Sequence, residues 1–118
     1  MDSLSTLIAS LFIWISSHLY VVNADFKEPN YQPEIKFIPH EELSKIACEK
    51  PCPVVGWYPT ENQIEGKEVL YMIKGGDPIK DLCIRTILLH ELVHFWQDYN
   101  NAFEKEGDSQ KVVFTRRE

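Results

Sequence analysis

The sequence predicts a small α+β domain in which a mainly antiparallel sheet packs against one long helix. Three observations predict it: short apolar runs between residues 34 and 73, a single long helical pattern after residue 79, and a length of 118 residues, 13.8 kDa, sufficient for one hydrophobic core. Hydrophobic residues at 44% and aromatics at 12% exclude a disordered polyelectrolyte, and no fixed-period repeat supports a solenoid. The first 24 residues, Met1 to Ala24, hold a single charge, Asp2. All 12 Lys and Arg and 17 of the 18 Asp and Glu follow, a balance of about −5. With no basic run longer than Arg116-Arg117, the chain has no electrostatic footprint for nucleic acid.

The elements follow in order. Ser3 to Ala24 is uncharged, with an apolar centre from Leu7 to Ile15, and Val22-Asn23-Ala24 has the small-residue pattern of a signal-peptidase site. Residues 1–24 therefore read as a leader and 25–118 as the working domain, although no Lys or Arg stands near Met1. The alternative is an uncleaved membrane anchor; both place the domain outside the cytoplasm, secreted or periplasmic in the first case. Asp25 to Pro33 is a polar, extended lead-in. Glu34 to Ile38 alternates with the period of a half-buried strand that Pro39 ends, and Glu41 to Glu49 places Leu43, Ile46 and Ala47 at helical spacing before Pro51. Val54 to Tyr58 and Glu68 to Ile73 read as strands, with a turn at Gly66-Lys67 and a further short strand at Asn62 to Glu65. After the loop Lys74 to Pro78, a helix runs from about Ile79 to Phe103. On its wheel Leu82, Leu89, Val93, Trp96, Tyr99 and Phe103 form the buried stripe, with His90 and His94 together beside it.

Cys48, Cys52 and Cys83 fit neither a thioredoxin motif nor a zinc knuckle, so in an oxidising compartment a disulfide is the expectation. Three thiols allow three pairings, and spacing does not choose among them. The odd cysteine suggests a partner chain, a free thiol or a missing stretch of polypeptide.

The chemistry lies in His90-Glu91-Leu92-Val93-His94, an H-E-x-x-H motif that this composition would produce by chance about 0.01 times. Spacing of four residues puts both imidazoles one turn apart, within reach of a single Zn²⁺, while Glu91 is set beside the metal as a general base. The stretch His90 to Asp98 resembles the active-site helix of zincin metallopeptidases, in particular gluzincins and the short minigluzincins. With Pro51-Cys52-Pro53-Val54, Gly56-Trp57 and the leader, the chain is similar to a group of short secreted bacterial or phage proteins with a zincin-like domain. The resemblance covers about Glu34 to Asn101. It implies zinc ligands at His90 and His94, a general base at Glu91, and a sheet-edge strand, Glu68 to Ile73, that pairs with an extended peptide or protein substrate. Asp98 stands where some gluzincins have an aspartate that accepts the spare N–H of a ligand imidazole.

A gluzincin also takes a third ligand from a glutamate on a following helix. The candidates are Glu104, Glu106, Asp108 and Glu118. The first two fall about 15 Å along the helix from His94, which makes them poor ligands, and Glu118 in Arg116-Arg117-Glu118 is the preferred choice. The chain then stops short of the helix that would close such a fold, so it reads either as a truncated zincin or as a compact form completed by Glu118, Asp108 or water. His40, beside Pro39, reads as a surface or helix-start residue, and Trp57, Tyr71 and Phe95 as core in preference to a substrate subsite. The expected function is zinc-dependent peptide hydrolysis. The alternatives are a catalytically impaired zinc-binding or interaction protein and a membrane-tethered structural domain without metal.

Overall fold

The computed structural model describes residues 3–22, 27–48, 52–59, 64 and 66–100. Within them are α1 (Ser3–Val22), β1 (Glu34–Ile38), α2 (His40–Cys48), β2 (Gly56–Trp57), β3 (Val69–Ile73) and α3 (Leu82–Tyr99). This is an α+β arrangement, as the periodicities predict.

The sheet differs from the expectation in direction. Its order is β1-β3-β2, with β1 parallel to β3 over five residue pairs from Glu34↔Val69 to Ile38↔Ile73, and β2 antiparallel over two, Gly56↔Met72 and Trp57↔Tyr71. It is a mixed sheet whose longer pairing is parallel. The physical reason is the connection: after β1 the chain passes through α2 before returning, a crossover that lets β3 lie parallel to β1, and alternation alone carries no strand direction. The expected strand Val54 to Tyr58 shrinks to Gly56–Trp57, extended by a bond from Ile73 N to Val55 O at 2.9 Å. Of the strand expected at 62–65, only Ile64 is described, and it is exposed. Gly66 takes φ +88° in the turn before β3, a conformation glycine adopts at no steric cost.

α3 begins later than its apolar pattern suggests. Asp81, extended at φ −105°, ψ 113°, accepts from Cys83 N at 2.9 Å and Ile84 N at 3.4 Å, so it caps the helix and leaves Ile79 and Lys80 in the preceding turn. At the other end Asn100 follows Tyr99. Its carboxamide accepts from Lys27 N at 2.7 Å and donates to Lys27 O at 3.0 Å, tying the lead-in of β1 to the end of α3. Phe103 lies outside the described residues.

The buried stripe of α3 is rotated from the predicted one. Leu88, Leu92, Phe95 and Trp96 are buried, Leu89 and Val93 lie partly buried at the border, and Leu82 is 70% exposed. The rotation arises because α3 is covered from two sides. Leu70 and Met72 of β3 approach from the sheet, and Ile8, Leu11, Phe12 and Ile15 of α1 join the same buried cluster. Phe12 stands 5.6 Å from Trp96, edge to face, and 6.1 Å from Phe95. Most of the segment expected as a leader forms α1, whose Ile8, Leu11, Phe12 and Ile15 pack against α3 in this structure. Among the described residues no helix is long and apolar enough to cross a membrane.

Cys48 and Cys52 form the disulfide, and Cys83 is a free, exposed thiol in the first turn of α3. The bridge joins the end of α2 to the segment leading into β2. His40, exposed on the first residue of α2 as expected, donates from Nε2 to Cys52 O at 2.9 Å. The approach to β2 is therefore held to both ends of α2.

Candidate metal centre

His90, Glu91 and His94 lie in the middle of α3, where the helical ladder fixes their relative directions. His90 is exposed, His94 is half-buried and Glu91 is buried at 7% exposure. The two imidazole rings are perpendicular, with centroids 4.8 Å apart, and their Nε2 atoms converge to 3.3 Å. Two nitrogens bound to one tetrahedral ion at 2.0–2.1 Å stand about 3.3–3.4 Å apart, so this separation matches two adjacent corners of such a site. The donor chemistry fits as well, since imidazole is a common zinc ligand.

Among the described residues no group of three His, Cys, Asp or Glu converges to hold a metal. A metal on His90 and His94 would complete its sphere from solvent or from other residues. Glu104, Glu106, Asp108 and Glu118, the third-ligand candidates, lie outside the described residues.

Glu91 faces the sheet. A Cβ added to Gly56 of β2 would stand 2.8 Å from Ile87 Cγ2, 3.1 Å from Met72 Sδ and 3.2 Å from Glu91 Cγ. Only a residue without a side chain lets β2 come this close to α3 beside the carboxylate-bearing side chain. Gly56→Ala is expected to cost about 1–3 kcal/mol by overpacking, read as a lower urea midpoint at unchanged slope. An unchanged midpoint would show that Ile87 yields freely and that the close approach is not a constraint.

β3, the segment expected to offer a free edge to substrate, is the central strand. β1 occupies its other side, so the sheet edge nearest Glu91 belongs to β2. Trp57 and Tyr71, expected in the core, are half-buried cross-strand partners that stack with centroids 6.0 Å apart. Phe95 is fully buried, as expected.

His94 Nδ1 donates to Gln97 Oε1 at 3.0 Å, and Gln97 is buried at 4% exposure. Asp98, the carboxylate expected beside a ligand imidazole, accepts from Tyr58 OH at 2.5 Å. Burial first, and then the Asp98 hydrogen bond, push the Tyr58 phenol far above its ordinary range, so it stays protonated and donates. Gln97 and Tyr58 were missed from sequence. Gln97 was legible in principle, because a residue three after His94 shares its helix face, whereas the pairing of Tyr58 with Asp98 depends on where the end of β2 meets α3. Compared with protein-family models, with curated proteins and with solved structures, the chain matches none.

Proposed function

We propose that this chain is a zinc-dependent hydrolase of peptide bonds, a small metallopeptidase of zincin type that works outside the cytoplasm. The observation that carries the proposal is the 3.3 Å convergence of His90 and His94 Nε2 on a helix that also buries Glu91 beside them. A bound zinc ion would supply Lewis acidity, acidifying water and polarising a carbonyl oxygen. His90 and His94 would hold it through Nε2. Glu91, the next residue on the helix, takes a proton from the attacking water and returns it to the leaving amine. Its place against β2 keeps the carboxylate at the sheet edge, where an extended peptide can pair by main-chain hydrogen bonds. The disulfide Cys48–Cys52 and the uncharged run before residue 24 support an extracytoplasmic site of action.

Elemental mass spectrometry of the dialysed protein tests this reading. About one zinc per chain is expected, lost in both His90→Ala and His94→Ala, because removing either donor leaves a single imidazole. Zinc content that is the same in the wild type and both variants would refute the ligand assignment. A second reading, a zinc-binding or interaction protein without turnover, is favoured by the presence of two and not three converging ligands among the described residues. Stoichiometric zinc with no cleavage of a peptide library would select it.

A further inference from the structure

We infer that Gln97 is a positioning residue of the histidine pair: its buried amide holds His94 in the Nδ1–H tautomer and turns Nε2 toward His90 as the metal-facing nitrogen. The inference rests on the reading of His90 and His94 as ligands and adds to it the residue that sets their geometry.

A neutral imidazole carries one proton, and the hydrogen bond made by one ring nitrogen decides which nitrogen is left with a lone pair. Gln97 Oε1 is a carbonyl oxygen and can only accept, so at 3.0 Å it keeps the proton on Nδ1 of His94. Nε2 then carries the lone pair, and Nε2 is the atom that stands 3.3 Å from its counterpart on His90. Burial makes the contact strong, because an amide at 4% exposure has little access to water as a substitute partner. Both residues belong to α3, so the contact is made within a single helical turn.

The choice of an amide has a chemical consequence. A carboxylate in this position would add negative charge and raise the basicity of the ligand, whereas Gln97 orients the ring without charge. Asp98, the carboxylate next in the chain, is hydrogen-bonded to Tyr58.

Long-range ¹H–¹⁵N correlation spectra of the metal-free full chain read the tautomer directly, and zinc titration with a competing chelator reads affinity. The wild type is expected to show His94 as the Nδ1–H form. Gln97→Met, close in volume and without an acceptor, is expected to shift His94 toward the Nε2–H form and to weaken zinc binding by about 10–100-fold. Gln97→Glu, which restores an acceptor, is expected to restore the tautomer. An Nε2–H tautomer in the wild type overturns the inference without recourse to any variant. So does a folded Gln97→Met protein with wild-type tautomer and affinity. A wild type that shows the Nδ1–H form, lost in Gln97→Met, but takes up no zinc overturns the metal reading and supports the orienting contact.

Discussion

Glu91→Gln is expected to lower peptide hydrolysis by about 10²–10⁴-fold while leaving zinc content and thermal stability close to those of the wild type. The amide keeps the volume of the carboxylate, so the tight space between α3 and Gly56 remains filled. It also keeps both proposed ligand imidazoles, His90 and His94, since the proposed ligand set does not include residue 91. What disappears is the ability to accept a proton. The effect should therefore fall on kcat more than on KM, because the missing interaction belongs to the transition state. Steady-state kinetics on a cleaved reporter peptide, with metal content measured on the same sample, make the comparison. Turnover retained within a few-fold of the wild type would remove Glu91 from the mechanism, and parallel loss of zinc would give it a structural role in metal retention.

Phe95→Ala is expected to cost about 3–5 kcal/mol. Phe95 is fully buried, and its ring stands 6.1 Å from Phe12, 5.6 Å from Tyr31 and 6.1 Å from Tyr58. Those partners come from α1, from the lead-in of β1 and from the end of β2, so one side chain is in contact with three segments. Truncation leaves a cavity bounded by rings too large to collapse into it. Against a typical total of about 5–15 kcal/mol, such a loss decides whether the domain stays folded. Urea denaturation followed by tryptophan fluorescence would detect it. A loss below about 1 kcal/mol would mean that the aromatic cluster relaxes around the gap and that Phe95 is not its centre.

Much of the fold was legible because local patterns report local structure. Period-two alternation placed β1 and a short apolar run placed β3 within a residue of their observed bounds, Pro39 marked the end of β1, and the histidine pair on one helix face follows from spacing alone. The direction of β1 against β3 was not legible, since parallel and antiparallel partners share the same alternation. The orientation of α3 was misread for a related reason. Leu82 and Leu88 are equally apolar, and only the arrival of α1 on one side and β3 on the other decides that Leu88 is buried and Leu82 exposed. At the site, His90, Glu91 and His94 were visible as a motif, but the contacts made by Gln97 and Tyr58 were not. Gln97, which accepts from His94 Nδ1, and Tyr58, which donates to Asp98, carry no charge pattern that singles them out in the sequence.

The bond between Asn100 and Lys27, 73 residues apart, bears on the order in which the chain can fold. β1 has no parallel partner until β3 has been made, and Phe12 of α1 has no Phe95 or Trp96 to pack against until α3 is complete. Native contacts of such long separation form after the chain is nearly finished, because loop closure must precede the contacts that compensate it. At about 5–20 residues per second, the uncharged helix Ser3–Val22 waits on the order of 4–16 s between its own synthesis and that of Asn100. During that interval its apolar face is open to any factor that binds nascent apolar helices, and partitioning between such a factor and the finished core is settled by timing before it is settled by stability.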